Sequence, residues 1–261
     1  MTTEYSSGGD PARTMALLWG RQKRPTRGPK QGLTVERIAA AATEIADADG
    51  LAALSMRSVA ERLGVSTMAL YTYVPSKAVL IDLLLDTAYG EAIPDGLIEG
   101  GWRDRLERVA RDTWAMYRRH PWMLQVAALA RPVLGPNAVA MYDHQLRAVD
   151  GIGLDEVEMD SVVGLVTGHA EAAARRAAEM AQTERDSGRT DAQWWEIVAP
   201  LLEQVYEPGR YPVADRVGPV VGAALQSAYS PEHAFEFGLQ RVLDGVEALV
   251  RARQQGRGGG A

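Results

Sequence analysis

Residues 54–86 read LSMRSVAERLGVSTMALYTYVPSKAVLIDLLLD, and the reading of this stretch decides the fold. Ser55 stands where a helix N-cap is wanted, ahead of Val59, Ala60 and Leu63 at one-face helical spacing. Gly64-Val65-Ser66 then makes a three-residue turn. Gly64 takes a conformation that a Cβ would strain, Val65 plugs the underside, and Ser66 caps a third helix from Thr67 to about Val74. Two short helices joined by such a glycine-containing turn are the helix-turn-helix arrangement. Pro75 and Ser76 interrupt, and Lys77 starts a longer helix through Leu80, Ile81, Leu84, Leu85 and Ala88. Upstream, Thr34 caps a first helix, with Glu36 near its positive end. Val35, Ile38, Ala42 and Ile45 share one face, and Asp49-Gly50 ends it. Residues 34–74 are therefore three short helices.

Outward from this unit, residues 1–33 are rich in Gly, Pro, Ser, Thr and basic residues and read mostly as a mobile arm, with a short helical turn at Met15 to Trp19. Residues 11–30 hold six basic side chains and no acid. The net charge is −6, yet residues 1–80 balance at +3 and residues 92–261 at −6. A basic front on an acidic body suits a phosphate backbone met by one end, or is a solvated tail. The chain has no cysteine, which excludes disulfide scaffolds, thiolate metal sites and cysteine nucleophiles. Its four histidines (His120, His144, His169, His233) show no metal-ligand spacing. No apolar run nears the ~18–20 residues of a membrane span, and residues 1–20 do not read as a secretory signal. The expectation is a cytoplasmic protein without membrane contact. No HExxH, GxSxG or phosphate loop lies in the folded region, which argues against an enzyme.

The rest also reads as helices, at about 102–119, 121–129, 137–150, 155–183 and 232–252, with loops between 182 and 232. Trp102, Val109, Thr113 and Tyr117 recur on one face of the first. Five of six tryptophans lie in this half, Trp102, Trp114 and Trp122 among them. With Thr113, Tyr117, Arg131, Met141, Gln145 and His169 they suit a cavity for a planar apolar compound, or else are core.

Residues 34–91 resemble the DNA-binding domain of the TetR family of bacterial transcriptional regulators, through Ala-Glu-Arg-Leu-Gly-Val-Ser, Leu-Tyr, Tyr-Val and Lys-x-x-Leu within 54–86. The second half is similar to the tetracycline-repressor branch, through Trp102-Arg103-Asp104, Arg131-Pro132, Phe237-Gly238-Leu239 and Asp244-Gly245-Val246-Glu247. The resemblance implies an all-α chain: a basic arm (1–33), a helix-turn-helix domain (34–80), a helical ligand-binding and dimerisation domain (81–252) and a disordered tail (253–261). It implies a repressor that binds a palindromic operator in double-stranded DNA as a homodimer and is released by a small, largely apolar ligand. The alternatives are a regulator without a small-molecule effector, and an activator. Carried over by position, Thr67, Met68, Ala69 and Thr72 face the major groove, Tyr71 and Tyr73 flank the backbone, and Lys77 touches a phosphate. Arg57 meets a base or phosphate, with Ser55, Met56 and Ser66 beside these contacts. Tyr71 has the alternative of packing the domain. Arg24, Arg27 and Lys30 on the proline-extended arm reach the minor groove, touch phosphates loosely or stay idle. Thr113, Arg131 and Gln145 match ligand positions. The branch's metal-ligating histidine corresponds to Ala127, so no metal or cofactor is expected. Val162, Val166, Ala173, Phe235, Leu239, Val242, Val246 and Leu249 are implied at the twofold interface, with an intramolecular core contact as the alternative.

Overall fold

The computed structural model describes residues 10–21, 32–94, 96, 99–126, 132–225, 227 and 229–258. Among them are eleven α-helices, one 3-10 helix and no β-strand. The first helix, α1 (Pro11–Leu18), lies inside the expected arm. Asp10 caps it by accepting from Ala12 N at 3.1 Å, and Pro11 begins it with a preset φ. Leu17 is buried, α1 packs on α5 (Lys77–Ala92), and Trp19 Nε1 donates to the Leu134 carbonyl at 2.9 Å. Composition hides this helix, because its cap-proline start reads like the loop residues around it.

The three-helix unit is α2 (Val35–Asp49), α3 (Met56–Leu63) and α4 (Thr67–Tyr73). Thr34 Oγ1 accepts from Arg37 N, and Ser66 Oγ from Ala69 N. Ser55 and Ser58 form a reciprocal capping box. Gly64 has φ +66°, and Val65 N closes the turn onto the Ala60 carbonyl at 3.0 Å. Ile38, Ala42, Ile45, Val59, Ala60 and Leu70 close the core.

Ser76 caps α5 by accepting from Val79 N. This helix is buried nearly all round, which fits a member shared by two packing units. It meets α2 on one side and α6 (Trp102–Arg119) and α7 (Pro136–Leu146) on the other. The body is α6 against α8 (Glu156–Ser187) and α11 (Pro231–Gly258). Arg111 bridges Glu107 and Glu236, and Arg103 reaches Asp244 at 2.8 Å, so α6 is laced to α11.

Several expected boundaries move. The segment expected helical over 121–129 is a 3-10 helix, Pro121–Gln125, within the described residues. The long helix runs four residues past its expected end at 183, and the last helix continues through residues expected as tail. The stretch 182–232 contains α9 (Asp191–Val205) and α10 (Pro212–Leu225). Pro200 and Pro219 inside them break the sequence pattern while the helices persist.

Candidate DNA interface and ligand-binding body

Building the recognition face starts at the Gly64 turn, which sets α4 across α3. Met68, second residue of α4, is 75% exposed. Tyr71 and Thr72 are exposed with it, while Thr67, Ala69 and Tyr73 are half-buried. Leu70 points into the core, so the outer face is the one carrying Met68, Tyr71 and Thr72. The Thr72 hydroxyl donates to the Met68 carbonyl at 3.3 Å. Ser66 is exposed at the head of the helix, and Lys77 is half-buried at the head of α5. Arg57 projects from the first turn of α3, its side chain 83% exposed, and pairs with Glu61 at 2.8 Å. That bond raises the guanidinium above its ordinary value. An exposed pair of this kind is worth little in water, so Arg57 can exchange Glu61 for a phosphate or base edge at small cost.

Met56 is a correction. It is only 6% exposed and belongs to the core of the three-helix unit, because the first turn of α3 aims it inward. Ser55 is half-buried, its hydroxyl engaged in the capping box. Arg24, Arg27 and Lys30 lie outside the described residues, as do Ala127 and Arg131.

In the body, Val109, Thr113, Trp114, Tyr117, Trp122 and Met141 are buried, and Trp102, Gln145 and His169 half-buried. Trp114 packs on Phe235 with ring centroids 4.4 Å apart. His169 stacks on the same ring at 5.7 Å, its Nε2 2.9 Å from the Phe235 carbonyl oxygen, and Gly238 leaves the space it fills. Trp122 Nε1 donates to Asp47 at 2.7 Å, facing the DNA-binding unit. These three side chains are therefore held by α11 or by α2: Trp114 through ring packing on Phe235, His169 through the Phe235 carbonyl and Trp122 through the Asp47 carboxylate.

Tyr117 belongs to a polar group inside the body. Burial pushes its hydroxyl well above the ordinary tyrosine value, with Tyr89 and Glu171 adding to this and Arg175 opposing. Tyr89 is raised in the same way, by burial and then by Glu171 and Asp86. Arg175 pairs with Glu171 at 2.8 Å and donates to the Leu124 carbonyl. Sequence reasoning missed Tyr89, Glu171 and Arg175. The signal present was Glu171 and Arg175 at i, i+4 on a helix read as apolar.

Two crevices flank the chain around Ile93 and Pro94. One, about 250 Å³, lies between α5 and α6 beside Glu91, Arg108, Arg119 and His120. The other, about 330 Å³, lies against α7 beside Asp143, His144 and Arg147. None of the residues expected to bind ligand lines either crevice. Among the described residues no cluster of His, Asp or Glu could hold a metal, and no single helix is long and apolar enough to cross a membrane.

Six of the eight expected interface residues are also corrected. Val162, Val166, Ala173, Phe235, Leu239 and Val246 are buried within one chain, and Val242 and Leu249 half-buried, because these faces of α8 and α11 pack internally. The outward faces carry Leu165 at 55% exposure and Phe237 at 58%, with Gly164 and Gly168 beside Leu165. The Arg241 guanidinium lies over the Phe237 ring at 5.3 Å.

A helix-turn-helix unit joined through one buried helix to an all-helical body now has its geometry in place. The model of the bacterial regulatory proteins of the tetR family matches residues 38–84, and that of the tetracyclin repressor-like C-terminal domain matches residues 94–250. The chain belongs to the TetR family of bacterial transcriptional regulators. It is similar to the HTH-type transcriptional repressor DrrR1 of Streptomyces coeruleorubidus, 45% identical over 255 residues, or 97% of this chain and 92% of that protein. This TetR-family protein is a DNA-binding transcriptional repressor and not an enzyme. Its fold is that of the ActR protein of Streptomyces coelicolor, solved in complex with actinorhodin, at TM-score 0.67 and 24% identity over 84% of this chain and 99% of that one. BioQ with its double-stranded DNA operator aligns at TM-score 0.51 and 22% identity, over 59% of this chain and 91% of that one.

Proposed function

We propose that this TetR-family repressor binds a palindromic operator as a homodimer in the cytoplasm and leaves it when a small, largely apolar molecule enters the C-terminal body. The single observation carrying the DNA half is the exposed leading end of α4. A methionine 75% in water has no use within the chain, on a unit whose other large side chains are mostly packed. Thr67, Met68 and Ala69 enter the major groove, with Thr72 and Tyr71 beside them and Ser66, Tyr73 and Lys77 along the backbone. The segment lacks Arg, Asn and Gln, so base choice rests on thymine-methyl contact, threonine hydroxyls and Arg57. The sequence places Arg24, Arg27 and Lys30 just upstream, where they add phosphate or minor-groove contact.

The homodimer is supported by Leu165 and Phe237 on the outward faces of α8 and α11, and by α9 and α10. Those two helices bury no side chain of their own, while Ile197, Leu201, Val205, Val213 and Val220 stand in water. A second copy is the occupant that covers such faces on both subunits by one twofold operation. The effector half is supported by the polar set of buried Tyr117 with half-buried Tyr89, Glu171 and Arg175, beside Thr113, with Met141 and Gln145 on α7 and Arg131 near in sequence. ActR, of like fold, was solved with actinorhodin bound. A second reading, a repressor without a small-molecule effector, is favoured by the side-chain engagement of Trp114, Trp122 and His169.

Selection of bound duplexes from a random pool with the full-length protein tests the DNA half. Enrichment of inverted half-sites about one helical turn, ~34–36 Å, or a multiple apart is expected; enrichment of single or direct sites would contradict the reading. A panel of planar aromatic compounds, scored for both a melting shift and operator release, separates the two effector readings.

A further inference from the structure

Asp47 lies in the last turns of α2, on the DNA-binding unit. One of its carboxylate oxygens, Oδ1, accepts two hydrogen bonds from the body: His120 Nδ1 at 2.7 Å and Trp122 Nε1 at 2.7 Å. His120 ends α6 and Trp122 sits in the following 3-10 helix, so both donors come from one corner of the body. They are 2% and 1% exposed. The other ring nitrogen of His120 has no hydrogen-bond partner among the described residues and lies 3.4 Å from the Glu91 carboxylate at the end of α5. Three elements thus meet at one imidazole: α2, α5 and the α6 corner.

The DNA-binding unit is otherwise joined covalently to the body through Val74-Pro75-Ser76 and α5. A body held along one line can swivel about it; a second fixed point removes that freedom. Asp47 is itself exposed, but hydrogen bonds to a carboxylate are the stronger kind, and two buried donors aimed at one oxygen fix direction as well as distance. We infer that Asp47, His120 and Trp122 are positioning residues. They set the orientation of the DNA-binding unit on the body, and so the separation of the two recognition helices. This rests on the homodimer reading above. None of the three touches DNA, so their loss weakens operator binding through geometry alone.

The absence of cysteine makes the test clean. Met68→Cys gives each subunit of the full-length protein a single spin-label site at the tip of α4. Dipolar spectroscopy then reads one intersubunit distance in the parent. Adding Asp47→Ala or Trp122→Phe is expected to broaden or shift that distance while helical content and dimer mass stay unchanged. Asp47→Asn, which keeps an acceptor oxygen, is expected to restore a narrow distribution. In the unlabelled protein, Asp47→Ala and Trp122→Phe are each expected to weaken operator binding at least tenfold. A residue that merely stabilises the fold would lower the melting temperature and leave the distance alone. Distributions unchanged in both variants overturn the inference by itself. A parent with no dipolar signal overturns the homodimer and this inference together.

Discussion

Gly135→Ala adds one methyl group at the N-cap of α7, and the structure sets the scale of its effect. Gly135 has φ −80°, which any residue adopts, so no backbone strain enters. A Cβ there would fall 2.1 Å from Asp86 Oδ1 and 2.3 Å from its Cγ. Ordinary contact begins at 3.4 Å, so the carboxylate must retreat by more than an ångström. Oδ1 is the atom that accepts from Ala138 N at 2.9 Å, and Asn137 N bonds the same carboxylate. Burial already pushes the Asp86 carboxyl above its ordinary value, and these two N–H groups pull it back. Displacing it removes a bond to a charged group, worth about 1.5–3 kcal/mol, from a buried place. Overpacking adds about 1–3 kcal/mol. The expected loss is therefore ~2.5–6 kcal/mol, or roughly 5–24 °C in melting temperature at ~2–4 °C per kcal/mol for a chain of this size class. Urea or thermal denaturation followed by circular dichroism measures it. In the Asp86→Ala background the clashing atoms are gone, so the added methyl is expected to cost under about 1 kcal/mol. A Gly135→Ala protein within about 0.5 kcal/mol of the parent would falsify the cap, as would equal penalties in the two backgrounds.

Arg57→Ala is expected to weaken operator binding by about 1–3 kcal/mol and relax one base position if the guanidinium reads guanine, or to weaken all duplexes evenly and lower the salt slope by about 1 if it neutralises a phosphate. Met56→Ala is expected to act on folding instead, losing about 2–5 kcal/mol of stability as a buried truncation, measured by urea denaturation; an operator defect at full stability would restore Met56 to the interface. Phe237→Asp is expected to leave each subunit folded and, on the proposed homodimer, to shift the sedimentation mass to the monomer, since the ring is 58% exposed on its own chain. In acid, Glu236, Asp244 and Glu158 act in one direction. Arg111, Arg103 with Arg241, and Arg253 hold these carboxylates below the usual range. Their stabilisation is complete above the unfolded carboxylate pKa of about 4 and is lost as pH falls through the folded values. Hydrogen exchange along α11 is expected to rise first below that pH, and Arg111→Ala to flatten the acid response.

The DNA-binding unit was open to sequence reasoning because its signals are local. Thr34, Ser55, Ser66 and Ser76 each bond a backbone N–H within three residues, and Gly64 answers a conformation set by its own φ. Where meaning depends on what a side chain faces after folding, sequence is weaker. Met56 sits one residue from Arg57, yet one is core and the other solvent, a difference of a single helical step of about 100°. Val162 and Leu165 on α8, and Leu239 and Phe237 on α11, divide in the same way: the apolar pattern marks both faces, and only packing says which is inside. Helices α9 and α10 escaped because Pro200 and Pro219 interrupt the usual pattern and because their apolar faces lack an intramolecular core to match.

The C-terminal body was the least legible part, and α5 explains why it matters to the DNA-binding unit. Val79, Leu80, Ile81, Leu83, Leu84, Leu85 and Ala88 are all buried, on a helix packed nearly all round, with Glu91 exposed at its end. Its first half packs among α2 and the Ser76 cap, while its second half carries Asp86 to α7 and Tyr89 to the polar group of α6 and α8. A close-packed helix cannot bend smoothly, so a displacement of Tyr89 or of the α7 cap must move the α4–α5 junction or break a named bond. The Asp86 carboxylate on α5, which accepts from Ala138 N at the head of α7, is one such bond, and Glu91 at the end of α5 stands 3.4 Å from His120 Nε2. A molecule that separates Tyr89 from Tyr117 therefore has a physical route to Met68 through α5, whereas one lodged against Phe235 on the α11 side must act through α6 and the Asp47 joint. Comparing operator release in Asp86→Asn and Trp122→Phe proteins distinguishes these routes: loss of the response in only the first identifies α5 as the carrier, and loss in only the second identifies the α6 corner.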